Sequence, residues 1–156
     1  MKLVDVMTRA VEVISPEERL HEAARRMSEY DLGALPVCDG ERLVGMITDR
    51  DLVIRSMSLG EDPRRVRVAE AMTYDVLWCF EDVGLDEVGR RMQERQVRRM
   101  VVLDRKKEMV GIVSLGDLAR AKGNAPIAAR TLEEIARPTK PIAKRPTPRA
   151  FLRIGQ

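Results

Sequence analysis

The sequence is poor in the side chains on which most enzyme and metal chemistry depends. Aromatic residues are 3% of its 156 positions, His21 is its one histidine, and Cys38 and Cys79 are its two cysteines. With no Cys-x-x-Cys pair, these are too few for a conventional zinc site in one chain, and they give no disulfide framework. Both cysteines are expected to be buried small apolar groups, the alternative being a redox or metal role across a dimer. No apolar run approaches the ~20 residues of a membrane span, and Met1 to Ala10 carries no charged-then-apolar leader. A soluble cytoplasmic protein is therefore expected. No nucleophile–base arrangement can be assembled from the spacing, and His21 shares its predicted helix with Glu22 and Arg25, so an enzyme is disfavoured.

Basic charge is also scarce where a nucleic-acid-binding face would need it. The net charge is +3, yet Met1 to Lys122 holds 21 Lys and Arg against 23 Asp and Glu, and residues 123–156 hold 7 against 2. The excess belongs to the tail, with Pro138, Pro141, Pro146 and Pro148 among Lys140, Lys144, Arg145, Arg149 and Arg153. A body of mixed charge with few stacking rings leaves the tail as the one nucleic-acid candidate. That tail reads as a solvated extended segment or one docked through Phe151, Leu152 and Ile154. Thr131-Leu132-Glu133-Glu134 is placed to cap one short helix.

What the chain does contain is a repeat. Leu43 to Leu52 reads Leu-Val-Gly-Met-Ile-Thr-Asp-Arg-Asp-Leu, and Met109 to Leu118 reads Met-Val-Gly-Ile-Val-Ser-Leu-Gly-Asp-Leu. Gly45, Thr48 and Asp51 thus return as Gly111, Ser114 and Asp117, 66 places later (117 minus 51). Upstream the offset is 65, matching Met7-Thr8 with Met72-Thr73 and Arg25-Arg26-Met27 with Arg90-Arg91-Met92; one extra residue near Glu108 changes it. Repetition constrains the architecture more than any local pattern.

Periodicity predicts the same elements in each copy. In the first, a strand at Val11 to Ile14 precedes a helix that starts at Ser15-Pro16-Glu17-Glu18 and buries Leu20, Ala23, Ala24 and Met27. Strands follow at Ala34 to Cys38 and Arg42 to Ile47, then a helix at Asp49 to Leu59 stopped by Gly60. The second has a strand at Val76 to Phe80, a helix at Leu85 to Arg95, strands at Met100 to Asp104 and Met109 to Val113, and a helix at Leu115 to Lys122. A short linking helix is expected over Val66 to Met72. The fold class is α/β (α+β): two tandem β-α-β-β-α repeats, residues 1–65 and 66–122, then a basic proline-rich tail from 123. A thin sheet with helices on one side buries them poorly alone, so pairing about a pseudo-two-fold axis is expected. The helix bearing Leu52, Val53, Ile54, Met57 and Leu59 has a second apolar face, which predicts a homodimer unless the other repeat covers it.

The repeated stretch admits two readings. Free N–H groups at a helix start favour anions, the hydroxyl of Thr48 or Ser114 adds a donor, and the Asp51 or Asp117 carboxylate accepts two hydrogen bonds from a vicinal diol. Together they would suit a nucleoside phosphate. Ser/Thr-x-x-Asp is equally a variant capping box that satisfies only its own helix end.

Three features together resemble the cystathionine-β-synthase (CBS) domain family, paired as a Bateman module. They are the repeated Gly-x-x-Thr/Ser-x-x-Asp, Ala34-Leu35-Pro36-Val37, and Met-Thr ahead of each first strand. Asp31-Leu32-Gly33-Ala34-Leu35-Pro36 with Thr48-Asp49-Arg50-Asp51 is similar to stand-alone bacterial CBS-pair proteins, including the hypoxic-response type. The likeness spans Leu3 to about Lys122. It implies a non-catalytic regulatory module that binds AMP, ADP, ATP, S-adenosylmethionine or NAD in clefts between repeats; no cofactor or metal is expected, and the effector protein is not identified by sequence. The family's site residues fall on Asp117, Ser114 and Arg99, with Arg98 beside it, and on Thr8, Val11 and Leu32 in one cleft. The other cleft takes Asp51 and Thr48 with Thr73, Val76 and Val97. Arg98-Arg99 resembles the basic pair that neutralises phosphate, whereas the first copy has Gly33 and Ala34 there, so phosphates should prefer the Asp117 cleft. A structural or partner-binding protein with empty clefts, or a tail that binds nucleic acid, are the alternatives.

Overall fold

The computed structural model describes residues 2–138. The tail residues from Lys140 on, with Phe151, Leu152 and Ile154, lie outside them. The chain divides into two compact units that cut across its order: Glu12–Asp75 forms one, and residues 2–11 with 76–138 form the other.

In the unit Glu12–Asp75, helix α1 (Leu20–Tyr30) buries Leu20, Ala23 and Met27, the i, i+3, i+7 stripe. It starts later than expected, because Ser15 to Glu18 closes a turn in which the Ser15 N–H donates to Glu18 Oε2 (2.8 Å). Arg26 then ties that turn to α1 through Glu18 Oε1 and the Val13 carbonyl (both 2.5 Å). Strands β1 (Ala34–Asp39) and β2 (Arg42–Thr48) form an antiparallel hairpin in the register Ala34↔Thr48, Pro36↔Met46. Its turn requires left-handed backbone, supplied by Gly40 at φ 62°. The expected strand at Val11 to Ile14 is reduced to one parallel bridge, Ile14↔Val37. Helix α2 (Asp49–Arg55) stops short of Leu59, and Met57–Leu59 is a tighter turn ended by Gly60 at φ 72°. The linking helix is one turn, α3 (Val68–Ala71). Ile14, Leu20, Leu35, Val37, Ile47, Val68 and Met72 make the core, each such side chain contributing roughly 1.5–3 kcal/mol on burial.

The second unit repeats the plan with a fuller sheet. Strand β3 (Trp78–Phe80) runs parallel to β4 (Arg99–Leu103), which pairs antiparallel with β5 (Met109–Ser114) in the register Arg99↔Ser114. Between β3 and β4 lies α4 (Leu85–Arg95), with the predicted ends. The residue that shifts the repeat offset falls in the β4–β5 turn, where Asp104 Oδ1 accepts from the N–H groups of Lys106 (2.8 Å) and Glu108 (2.9 Å). Helix α5 (Leu115–Arg120) follows. The next element departs from expectation: α6 (Ala125–Ala136) is a helix of 12 residues with Pro126 in its first turn. Thr131, expected as a cap, is instead a buried interior residue. The core gathers Leu3, Met7, Cys79, Leu85, Val88, Met92, Met100, Val102, Val113 and Leu118. Among the described residues no helix is long and apolar enough to cross a membrane.

Candidate functional site

Each repeated stretch is a strand that runs directly into a short helix, and the residue at the junction caps it. At the first, the Asp51 N–H donates to Thr48 Oγ1 (3.1 Å) and the Thr48 N–H donates to Asp51 Oδ2 (3.0 Å). At the second, the Asp117 N–H donates to Ser114 Oγ (3.2 Å), while the Ser114 N–H and hydroxyl both donate to Asp117 Oδ2 (2.7 Å each). Both are closed capping boxes, which fixes each carboxylate one turn into its helix.

The two copies differ in the arginine that meets the other carboxylate oxygen. Arg55 Nε lies 3.6 Å from Asp51 Oδ1, and its Nη1 donates to the carbonyls of Ala71 and Met72 (2.9 Å each). Arg120 pairs with Asp117 Oδ1 from a side chain 75% exposed. Neither arginine stands out in the sequence, although i,i+4 and i,i+3 spacing from each aspartate is the signal that marks them. Arg50, the cation adjacent to Asp51 in sequence, is exposed.

The neighbouring strand brings up a cation in one copy alone. Arg99 pairs across from Ser114, and the Leu115 N–H donates to the Arg98 carbonyl (2.9 Å); both arginines are exposed. The counterpart across from Thr48 is Ala34, and the Asp49 N–H donates to the Gly33 carbonyl (3.1 Å). Within one unit, therefore, Arg98, Arg99, Ser114 and Asp117 gather at one end of β4 and β5.

The Met-Thr segments extend each sheet on its outer edge. Thr8 exchanges two backbone hydrogen bonds with Ile112 (2.9 Å each), and Thr73 exchanges two with Met46 (2.8 and 2.9 Å). The repeated glycine makes this approach possible. A Cβ on Gly111 would stand 2.7 Å from the Thr8 carbonyl oxygen, and one on Gly45 would stand 2.6 Å from Met72 Sδ and 3.0 Å from the Thr73 carbonyl oxygen. Thr8 thus joins the unit of Ser114 and Asp117, and Thr73 that of Thr48 and Asp51. Val11 ends the segment that carries Thr8, while Leu32 belongs to the unit Glu12–Asp75; Val76 and Val97 belong to the unit of Asp117. Leu32 and Val97 hold like places, each following a left-handed residue, Asp31 or Gln96, and each donating its N–H back to α1 or α4.

Burial pushes the Cys79 thiol up to about 11, and the Cys38 thiol up as well. Among the described residues no three His, Cys, Asp or Glu side chains are grouped to hold a metal ion.

The family model described as "CBS domain" matches residues 3–58 and 68–124. Hypoxic response protein 1 of Mycobacterium tuberculosis is 38% identical over 117 residues, 74% of this chain and 81% of that one. Among solved structures, Hypoxic Response Protein I with two coordinated zinc ions superposes with a TM-score of 0.71 at 37% identity, over 78% of this chain and 98% of that one. CBSX2 in complex with AMP superposes with a TM-score of 0.68 at 26% identity, over 77% and 94% of the two chains.

Proposed function

The chain belongs to the CBS domain family and carries two such domains, and from that premise we propose that it is a non-catalytic regulatory module that binds an adenosine-containing ligand. The observation that carries this reading is the grouping of Arg99, Ser114 and Asp117 in one unit, with Thr8 bridged to Ile112 of β5. Asp117 offers an oxygen to a ribose diol once Arg120 turns away, Arg99 offers a cation to phosphate, and Ser114 offers a hydroxyl donor once its proton swings off Asp117 Oδ2. AMP, ADP and ATP suit this cationic site best; S-adenosylmethionine and NAD share the adenosine. The AMP bound by CBSX2 supports the class of ligand. The Asp51 site has Thr48 and Thr73 but Ala34 in place of Arg99, which makes it the weaker phosphate site. Regulation then passes to an effector protein or to a change of assembly. The exposed Val53 and Met57 support a homodimer, and the protein would act in the cytoplasm.

One observation favours a second reading, a structural or partner-binding protein with vacant sites: both aspartates already satisfy their own helix ends. Calorimetry and thermal unfolding with AMP, ADP, ATP, S-adenosylmethionine and NAD separate the two. A ligand at about 100 times its dissociation constant adds ~2.7 kcal/mol of stability. Protein stripped of nucleotide that responds to none of the five refutes the sensor reading.

A further inference from the structure

The two units carry equivalent helical faces, and one of them is already covered. In the unit of Asp117, α6 packs on both α4 and α5. The approach to α4 is so close that a Cβ on Gly89 would meet Ile127 Cγ2 at 2.7 Å and Thr131 Oγ1 at 3.2 Å. Gln93 Nε2 donates to Thr131 Oγ1 (2.8 Å) and Gln96 Nε2 donates to the Glu134 carbonyl (3.3 Å). Ala128 and Thr131 are buried there.

By the 65-residue offset α1 is the counterpart of α4, and the two share a polar edge. Glu22, Arg25 and Glu29 pair along α1 as Glu87, Arg90 and Glu94 pair along α4. Their faces differ. Ala24 and Ser28 stand in the places of Gly89 and Gln93 and are exposed. Helix α2, in contact with α1, buries none of its residues, and Val53 (53%) and Met57 (66%) face solvent.

We propose that α6 is an intramolecular stand-in for a partner helix: it seals the α4–α5 face and confines self-association to the α1–α2 face, which takes a second copy of the chain. The inference rests on the homodimer reading above and adds which face is used and what closes the other. A second copy is the occupant because the face supplies both halves of a two-fold contact. Small Ala24 and Ser28 lie on one helix and large Val53 and Met57 on or just beyond its neighbour, so a two-fold axis sets the large against the small. The polar edge alternates in sign, Glu22, Arg25, Glu29, and a two-fold can match it with opposite charges.

Light scattering on the full-length chain across a concentration series tests this. The parent should reach the mass of two chains and Val53→Asp/Met57→Asp the mass of one. Ile127→Asp/Thr131→Asp, which releases α6, should assemble beyond two chains, and combining all four substitutions should return the mass to two. Gly89→Leu releases α6 from the opposite side and should act as Ile127→Asp/Thr131→Asp does, so misfolding of one variant does not decide the matter. A parent that stays monomeric refutes the homodimer reading itself. A dimeric parent whose Val53→Asp/Met57→Asp form is still a dimer refutes the assigned face. Either release variant, folded and with fast amide exchange in α6 but still of parental mass, refutes the role given to α6, as does an α6 that stays protected in both.

Discussion

Gly111→Ala should destabilise the unit that carries Asp117 by about 2–4 kcal/mol, through a single methyl group. Gly111 has ordinary backbone angles, so no conformational strain enters; the cost is steric. The new Cβ would lie 2.7 Å from the Thr8 carbonyl oxygen and 3.1 Å from Met7 Sδ, against about 3.4 Å for an ordinary contact. Relief requires the Met7-Thr8 segment to retreat by about 0.7 Å. That stretches the two 2.9 Å bonds between Thr8 and Ile112 to about 3.6 Å, beyond hydrogen-bonding range. Two such bonds are worth roughly 1–3 kcal/mol net, since water can replace them at this exposed edge, and displacing buried Met7 adds about 1 kcal/mol. Trp78, the one tryptophan, sits on β3 of the same unit, so its fluorescence in a urea titration reports the right transition. Gly116→Ala is the control of opposite sign. Its Cβ would meet at closest the flexible end of Arg120 at 3.4 Å, and the helix gains about 0.5 kcal/mol. Should Gly111→Ala unfold within about 0.5 kcal/mol of the parent, with the Thr8 and Ile112 amides exchanging at parental rates, the account of this glycine is wrong.

Asp117→Ala and Asp51→Ala should each lose about 1 kcal/mol with their capping boxes, but in calorimetry Asp117→Ala should weaken AMP binding more, because Arg99 stands at that site alone; equal losses would refute the asymmetry. Cys79, held at about 11 by burial, should be ionised to about one part in a thousand at pH 8. Thiol titration of the native chain should therefore be slow and complete only on unfolding, and rapid native reaction would contradict the burial. Hydrogen bonds from Arg90 and Arg105 hold the Glu87 and Asp82 carboxyls below their ordinary values. A depressed carboxylate stabilises fully above its unfolded pKa and loses that contribution as pH falls through the folded one. The Trp78 unfolding midpoint should accordingly fall on acidification, less so in about 1 M salt, which screens such exposed pairs; an identical pH profile in high salt would rule them out as the cause.

Most elements could be read from the chain because their signals are local. The ends of α4 follow from Leu85, Val88 and Met92 at helical spacing, and β2 and β5 from apolar runs that end in Thr48 and Ser114. Local signals mislead where a distant partner decides. Val11 to Ile14 has strand composition, yet of these four residues only Ile14 forms a strand bridge, to Val37. Thr131 has the local pattern of a cap, Thr-x-Glu-Glu, but Gly89 opens room for a helix that buries it.

By itself, the sequence determined the duplication, the class of fold, and the residues gathered at each helix start, since these depend on period and composition. Tertiary structure alone decided why the repeated glycine is there. Thr8 and Thr73 must come within hydrogen-bonding distance of Ile112 and Met46, and only a residue without a side chain leaves that space. It also decided which unit each Met-Thr segment joins and which helical face α6 covers. Those outcomes depend on contacts between residues far apart in the chain, and no local pattern records them.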